Sequence, residues 1–419
     1  MKRNRILPLL LCAVLLVCLI PAPLASAADR TGDGPLRYQS AETDLIQWAS
    51  RPASARQAAG VPGATQSEVA AAQAAILRAA QDWEESVDLS AWNISLDEWD
   101  DVFFQVYFDH PELFYLYSSA QVSYYAGSNV VKDLYFQYNE RYTKADQAVY
   151  DAALDEAVSA CVLPGMTDPE KVAALHDWVA IHCAYDYADY RRDAYAALVD
   201  GAAVCQGYAM AFSALMQRVG IPCCYVASDA MNHGWNQVRL SGVWYHVDVT
   251  WDDNPAASQD GTSRADVPGR VTHENLLRSD TGIVNATDTA HTGWESDNDC
   301  TGTKYDSFFW TDVDSRILFP GDGTCWYMRD NVLCSNRVTG GAETRRDSSA
   351  AGSYWPVPGS ASAHYAGNRS VLTGQGDRLW FTGPQAVYLY DRASGLSGTA
   401  YTYTGGRDIS TAWSWRTAA

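Results

Sequence analysis

The pattern of apolar and polar positions divides the chain into stretches of different period. Ile6 to Ile20 is one continuous apolar run behind Lys2, Arg3 and Arg5. Residues 28–64 are rich in Ala, Gly, Arg and Pro without a clear period and read as a linker. Thr65 with Glu68 forms a capping box before an Ala-rich helix to about Glu85, and Ser95 with Glu98 forms another. The second opens a helix whose apolar positions Leu96, Trp99, Val102, Phe103 and Val106 recur with the 3.6-residue period. Two aromatic, β-rich runs, Leu113–Ala126 and Val130–Tyr138, flank Gly127-Ser128 and predict a hairpin. A further helix over about Lys144–Cys161 completes a small α+β unit at 65–162, whose Tyr and Phe residues read as core.

A new unit begins at Asp168-Pro169-Glu170, an N-cap followed by proline at the first helical position. Its helix carries Val172, Leu175, Trp178 and Val179. His176 and His182 stand six apart, which no single helical face brings together, so they read as structural or surface residues rather than metal ligands. From Cys205, a helix buries Tyr208, Ala211, Phe212, Leu215, Met216 and Val219 and ends at Gly220. Ile221-Pro222 then starts a strand, Cys223 to Ala227. His233 enters a second strand, and the Ser241-Gly242 turn leads to a third that carries Asp248. Beyond about Phe319 come short β-rich runs with frequent Gly and Ser and with Trp326, Trp355, Trp380, Trp413 and Trp415, a β domain at 320–419 in which 377–391 resembles one hairpin. These tryptophans read as core, with a sugar-stacking platform as the alternative.

Composition changes the picture in three places. At 419 residues and 47% hydrophobic, the chain is globular and long enough for two or three domains. The basic start, the apolar run and Ala25-Ser26-Ala27 make a secretory signal peptide over 1–27, so a soluble, secreted protein is expected, with no stable membrane insertion after cleavage near Ala27. The net charge is −20, and −23 once the three leading cations are removed, which disfavours nucleic acid and anionic membrane surfaces as partners. Eight cysteines remain beyond the signal, in a compartment that permits disulfides. Cys325 and Cys334 flank a tight turn near Asp330, either as a disulfide across a hairpin or as two small half-buried apolar residues.

Chemistry concentrates at Cys205, His233 and Asp248. A thiol at a helix N-terminus meets the positive end of the helix dipole and unpaired N–H groups, which favour the nucleophilic thiolate and can hold an oxyanion. An imidazole on a neighbouring strand can take its proton, and a carboxylate on the next can orient that imidazole. The segments "GAAVCQGYAMAFSALMQRVGIPCCYV", "NHGWNQV" and "WYHVDVTWDD" resemble the transglutaminase-like core, the papain-like cysteine protease and acyltransferase superfamily of exported bacterial proteins. The resemblance covers about 165–310 and implies a catalytic domain at 165–312 with Cys205, His233 and Asp248 as its triad. That family usually has Ala after the histidine, where this chain has Gly234; Gln206 carries no assigned role.

The expected fold is therefore α+β: a helix with an N-terminal Cys packed on an antiparallel sheet, flanked by an α+β N-terminal domain and an all-β C-terminal domain. No metal and no cofactor are expected, since Cys205, Cys223, Cys224 and His233 lack zinc spacing. Asp252, Asp253 and Asp260 lack the ligand alternation of a calcium loop and read as a solvated turn. The implied activity is cysteine-dependent acyl transfer from an amide through a thioester, with hydrolysis of an extracellular protein or peptide favoured and cell-wall material among the candidate substrates. A cross-linking transglutaminase and a non-catalytic cell-surface or glycan-binding protein are the alternatives.

Overall fold

The computed structural model describes residues 34–41, 48–50, 64–253, 271–287, 290–351, 370–383 and 385–404. The signal peptide, Asp260, Trp355, Trp413 and Trp415 lie outside them. Four antiparallel sheets and a short parallel pair are present among these residues, with helices interspersed along the chain.

The first sheet has the order β1-β3-β4-β2, from β1 (Leu36–Ala41), β2 (Ser86–Asp88), β3 (Leu116–Tyr125) and β4 (Val131–Tyr138). Strand β1 lies within the stretch read as a linker. It pairs along β3 from Leu36↔Tyr125 to Ala41↔Ala120, an edge position that needs backbone hydrogen bonds rather than a two-sided apolar pattern. Helix α1 (Gln66–Gln81) starts at the Thr65/Glu68 capping box. Helix α2 (Trp99–Asp109) begins later than the Ser95/Glu98 pair suggested, because Ser95 Oγ donates to Glu98 at 2.6 Å while Glu98 itself becomes the N-cap. Helix α3 (Asp146–Cys161) completes this region.

Helix α4 (Asp168–His182) is capped by Thr167 with Glu170 and carries Pro169 in its first turn. The short strands β5 (Ala184–Tyr185) and β6 (Ala202–Ala203) pair in parallel just before helix α5 (Cys205–Arg218). The second sheet, β10-β9-β8-β7, packs against α5; it comprises β7 (Cys223–Ser228), β8 (His233–Leu240), β9 (Val243–Val247) and β10 (Leu276–Arg278). The β8–β9 hairpin turns at Ser241 and Gly242, both in the left-handed region. A single-turn helix α6 (Val249–Asp252) follows Asp248, and α7 (Asp280–Val284) follows β10.

The C-terminal region is β-rich as expected. Strands β11 (Thr324–Arg329), β12 (Val332–Arg337) and β13 (Thr344–Asp347) form one sheet. Strands β14 (Leu372–Gln375), β15 (Arg378–Thr382), β16 (Ala386–Asp391) and β17 (Leu396–Thr402) form another. The hairpin foreseen over 377–391 is β15–β16.

The Cys325–Cys334 disulfide is not formed, although the hairpin that suggested it is. Asp330 and Asn331 both take positive φ, and this tight turn sets a register that pairs Cys325 with Asn336 and Tyr327 with Cys334. The two cysteines are buried and displaced from each other along the strands. Trp326 is buried too, between the Arg346 and Arg392 guanidiniums, which leaves no sugar platform at that position. One continuous hydrophobic core runs from α1, α2 and β3 through α4 and α5 to Cys325 and Tyr327, so the three regions share packing. No helix among the described residues is long and apolar enough to cross a membrane.

Candidate active site

Cys205 is the first residue of α5, behind the extended Val204. Val204 is held by a backbone hydrogen bond to Arg191 O at 2.9 Å, which fixes where the helix starts. His233 opens β8, paired with Ser228 of β7, and Asp248 caps α6 directly after β9. The structure brings all three together, at 6%, 4% and 0% exposure. His233 Nε2 donates to Asp248 Oδ2 at 2.6 Å, while the Cys205 thiol hydrogen-bonds the same imidazole and meets the Gly234 backbone N–H.

The electrostatics follow from that arrangement. Burial pushes the Cys205 thiol up, but the hydrogen bond and charge of His233 and the Gly234 N–H outweigh it and bring it below the ordinary thiol value. Burial likewise opposes a charged His233, yet the Asp248 charge and hydrogen bond and the Cys205 thiolate raise it to about 10. Asp248 is held well below the usual carboxylate range, since His233 and a second imidazole overcome its burial. These surroundings favour a thiolate–imidazolium pair backed by a carboxylate. The other described cysteines with shifted values move the opposite way under burial, Cys161 to about 11 and Cys325 and Cys334 to about 12.

Three contributors escaped the sequence reading. His291 donates from Nε2 to Asp248 Oδ2 at 2.9 Å, so the carboxylate is clamped between two imidazoles. It lies far along the chain from Asp248 in a segment without periodicity, and no local signal marks it. Tyr185, on β5, places its hydroxyl against the Cys205 thiol and backbone N–H. Tyr225 explains Gly234: a Cβ at that position would lie 1.8 Å from the Tyr225 hydroxyl oxygen. The phenol fills the space that the usual alanine methyl would need. Aromatic rings complete the enclosure. Trp251 and Trp235 stack on His233 with centroids 4.8 and 5.7 Å away, and Trp235 also meets His291 edge-on and donates from Nε1 to His246 Nδ1 at 3.0 Å.

A second buried polar cluster lies beside the site. His176 Nδ1 meets Asp177 Oδ1 at 3.0 Å and its Nε2 meets Asp252 Oδ2 at 3.2 Å. His273 Nε2 meets Asp177 Oδ1 at 2.9 Å, and all four side chains are fully buried. Asp252 also accepts from the Asn275 backbone N–H, and Asp253 accepts from the Tyr208 hydroxyl at 2.5 Å. The acidic turn expected to be solvated is therefore internal at Asp252 and Asp253, because Asp252 holds Thr272 and Asn275 ahead of β10 and Asp253 holds Tyr208 of α5. Burial opposes charge on His176, but both flanking carboxylates raise it to about 9.

Among the described residues, three groupings place metal-type ligand atoms within 4.8 Å of one another: His176, Asp177 and His273; His233, Asp248 and His291; His246, Asp280 and Cys300. In all three an imidazole nitrogen already hydrogen-bonds the carboxylate.

Comparison with known proteins finds similarity over the segment that carries these residues. Residues 156–249 match the model of the transglutaminase-like superfamily. Kyphoscoliosis peptidase from Homo sapiens is 32% identical over a region covering 26% of this chain and 19% of that protein. The Mus musculus protein of the same name is 30% identical with the same coverage. A solved structure described as the crystal structure of a TGase aligns over 29% of this chain and 42% of its own, at 17% identity and a TM-score of 0.25. The chain spans about a fifth of the length of the peptidase relatives it matches. The family match at 156–249 covers the helix of Cys205 and the strand of His233, and this segment of the chain is similar to the transglutaminase-like superfamily.

Proposed function

We propose that the chain is an exported cysteine-dependent acyl-transfer enzyme that hydrolyses amide bonds of extracellular peptides or proteins, with Cys205 as nucleophile, His233 as base and acid, and Asp248 as its orienter. The observation that carries this reading is the buried chain of contacts from the Cys205 thiol through His233 to Asp248, with its 2.6 Å carboxylate hydrogen bond. The Cys205 thiolate attacks the amide carbonyl carbon, and the carbonyl oxygen takes up the negative charge beside the Cys205 N–H and the Tyr185 hydroxyl. Collapse breaks the C–N bond; the His233 imidazolium gives its proton to the departing amine, leaving an acyl thioester. Water then loses a proton to His233 and attacks the thioester carbonyl, releasing the carboxylic acid and restoring the thiolate–imidazolium pair.

The test is incubation of residues 28–419, beside Cys205→Ala, with a peptide library and a primary amine, read by mass spectrometry. Cleaved or deamidated peptides that vanish in Cys205→Ala are the expected products. Amine adducts with the same dependence would instead make the acceptor an amine, and the absence of any Cys205-dependent product would overturn the enzymatic reading.

A further inference from the structure

The loop that follows β5 joins the candidate active site to an aromatic cleft. Tyr185 touches Cys205, and Tyr187 lies against Tyr185 with ring centroids 4.7 Å apart. Four residues on, Arg191 O holds Val204, and a Cβ at Gly207 would meet the backbone oxygens of Arg191 and Asp193 at 3.3 and 3.2 Å. The loop thus lies directly on the first turn of α5. On its outer side opens a cleft of about 470 Å³ whose walls include Tyr107, Phe114, Tyr117, Tyr190, Arg141 and Arg192. Tyr117 and Tyr190 are 47% and 44% exposed.

The three cations along this cleft are in different states. Arg141 is engaged by Asp189 through two hydrogen bonds of 2.9 Å. Arg191 is paired with Asp200 and Asp193 and donates to the Tyr142 hydroxyl, and Asp193 also accepts from Tyr142 at 2.7 Å. Arg192 makes no ion pair among the described residues; its guanidinium lies over the Tyr190 ring, 4.8 Å from the centroid. Its charge acts on both Tyr107 and Tyr225, and Tyr225 in turn lies in the field of Cys205. An uncommitted guanidinium on an aromatic wall, in a chain of net charge −20, complements a carboxylate more than any other common peptide group.

We propose that this cleft is a substrate subsite for peptides, with Arg192 binding a peptide carboxylate, either an acidic side chain or a free C-terminus, while the tyrosines hold the flanking residues. The inference rests on the acyl-transfer reading for its biological sense, but its test does not depend on turnover.

The experiment measures fluorescence anisotropy of labelled peptides on full-length Cys205→Ala. One peptide carries Glu and an amidated C-terminus; a second replaces that Glu with Gln; a third keeps Gln but has a free C-terminal carboxylate. Binding of at least one carboxylate peptide about tenfold tighter than the neutral one is expected, and which one distinguishes the side chain from the terminus. That preference should shrink on raising salt and vanish in Cys205→Ala/Arg192→Gln. Arg239→Ala, which removes an exposed cation on β8, should leave it intact. Equal binding of all three peptides, or a preference that survives Arg192→Gln, would overturn the subsite. If the carboxylate preference holds while the wild-type chain turns over no peptide, the subsite stands and the catalytic reading falls.

Discussion

At the scale of single residues, Gly234 gives the sharpest test of packing around the candidate triad. Its backbone N–H meets the Cys205 thiol, and its missing Cβ is replaced by the Tyr225 hydroxyl. Gly234→Ala, the residue more usual in the family, must push the phenol away and with it the start of β8. We expect kcat/KM to fall at least tenfold and stability by roughly 1–3 kcal/mol, the usual cost of overpacking. Gly234→Ala combined with Tyr225→Val should recover much of both; a single variant with wild-type kinetics would refute the account of this pair. Cys205, His233 and Asp248 were legible in the sequence because each sits beside a local marker: a helix start, a strand entry and a hairpin end. His291, Tyr185 and Tyr225 were not. Their contacts to the site are made across strands or loops, and nothing in their own neighbourhood in the sequence announces them.

Among the elements, α4 shows how a buried ion cluster ties helix to sheet. His176 on α4 sits between Asp177 and Asp252, and Asp177 also accepts from the Ile317 backbone N–H at 2.7 Å. The folded value of His176, about 9, lies above its ordinary value of 6.5. The folded chain therefore keeps a proton that the unfolded chain releases. This stabilisation is complete below pH 6.5 and is lost as pH rises through about 9. The Cys205–His233 pair adds little slope in that window, because the proton kept by His233 is the one released by Cys205. Melting temperature should fall steeply from pH 6.5 to 9.5, and His176→Gln should flatten that fall while costing on the order of 3–5 kcal/mol at neutral pH. Equal slopes in the two proteins would contradict the assignment. Element positions were mostly readable from capping boxes and period; the errors came where another force decided. Strand β1 forms by edge pairing without an apolar pattern of its own, and the Asp330-Asn331 turn fixes a register that spacing between Cys325 and Cys334 could not reveal.

Over the whole molecule, the shared core makes the N-terminal region a structural partner of the transglutaminase-like domain: Phe108 of α2 stacks on Tyr225 of β7 at 4.6 Å, one residue layer from the site. The sequence divided these regions at the helix start Asp168-Pro169-Glu170, yet their apolar faces complete one another across that boundary. Against an acidic exterior, this packing encloses the Cys205 thiol in surroundings that favour its anion, while burial raises Cys161, Cys223, Cys300, Cys325 and Cys334. The direct measurement is the alkylation rate of each cysteine by iodoacetamide against pH, resolved by peptide mass spectrometry. Cys205 should react through a thiolate that persists below the range of an ordinary thiol, and His233→Ala should return it to an ordinary or raised thiol titration, with Cys161, Cys325 and Cys334 unreactive at neutral pH throughout. A Cys205 profile that follows an ordinary thiol in the wild-type chain, unchanged by loss of His233, would contradict the thiolate–imidazolium pair on which the account rests.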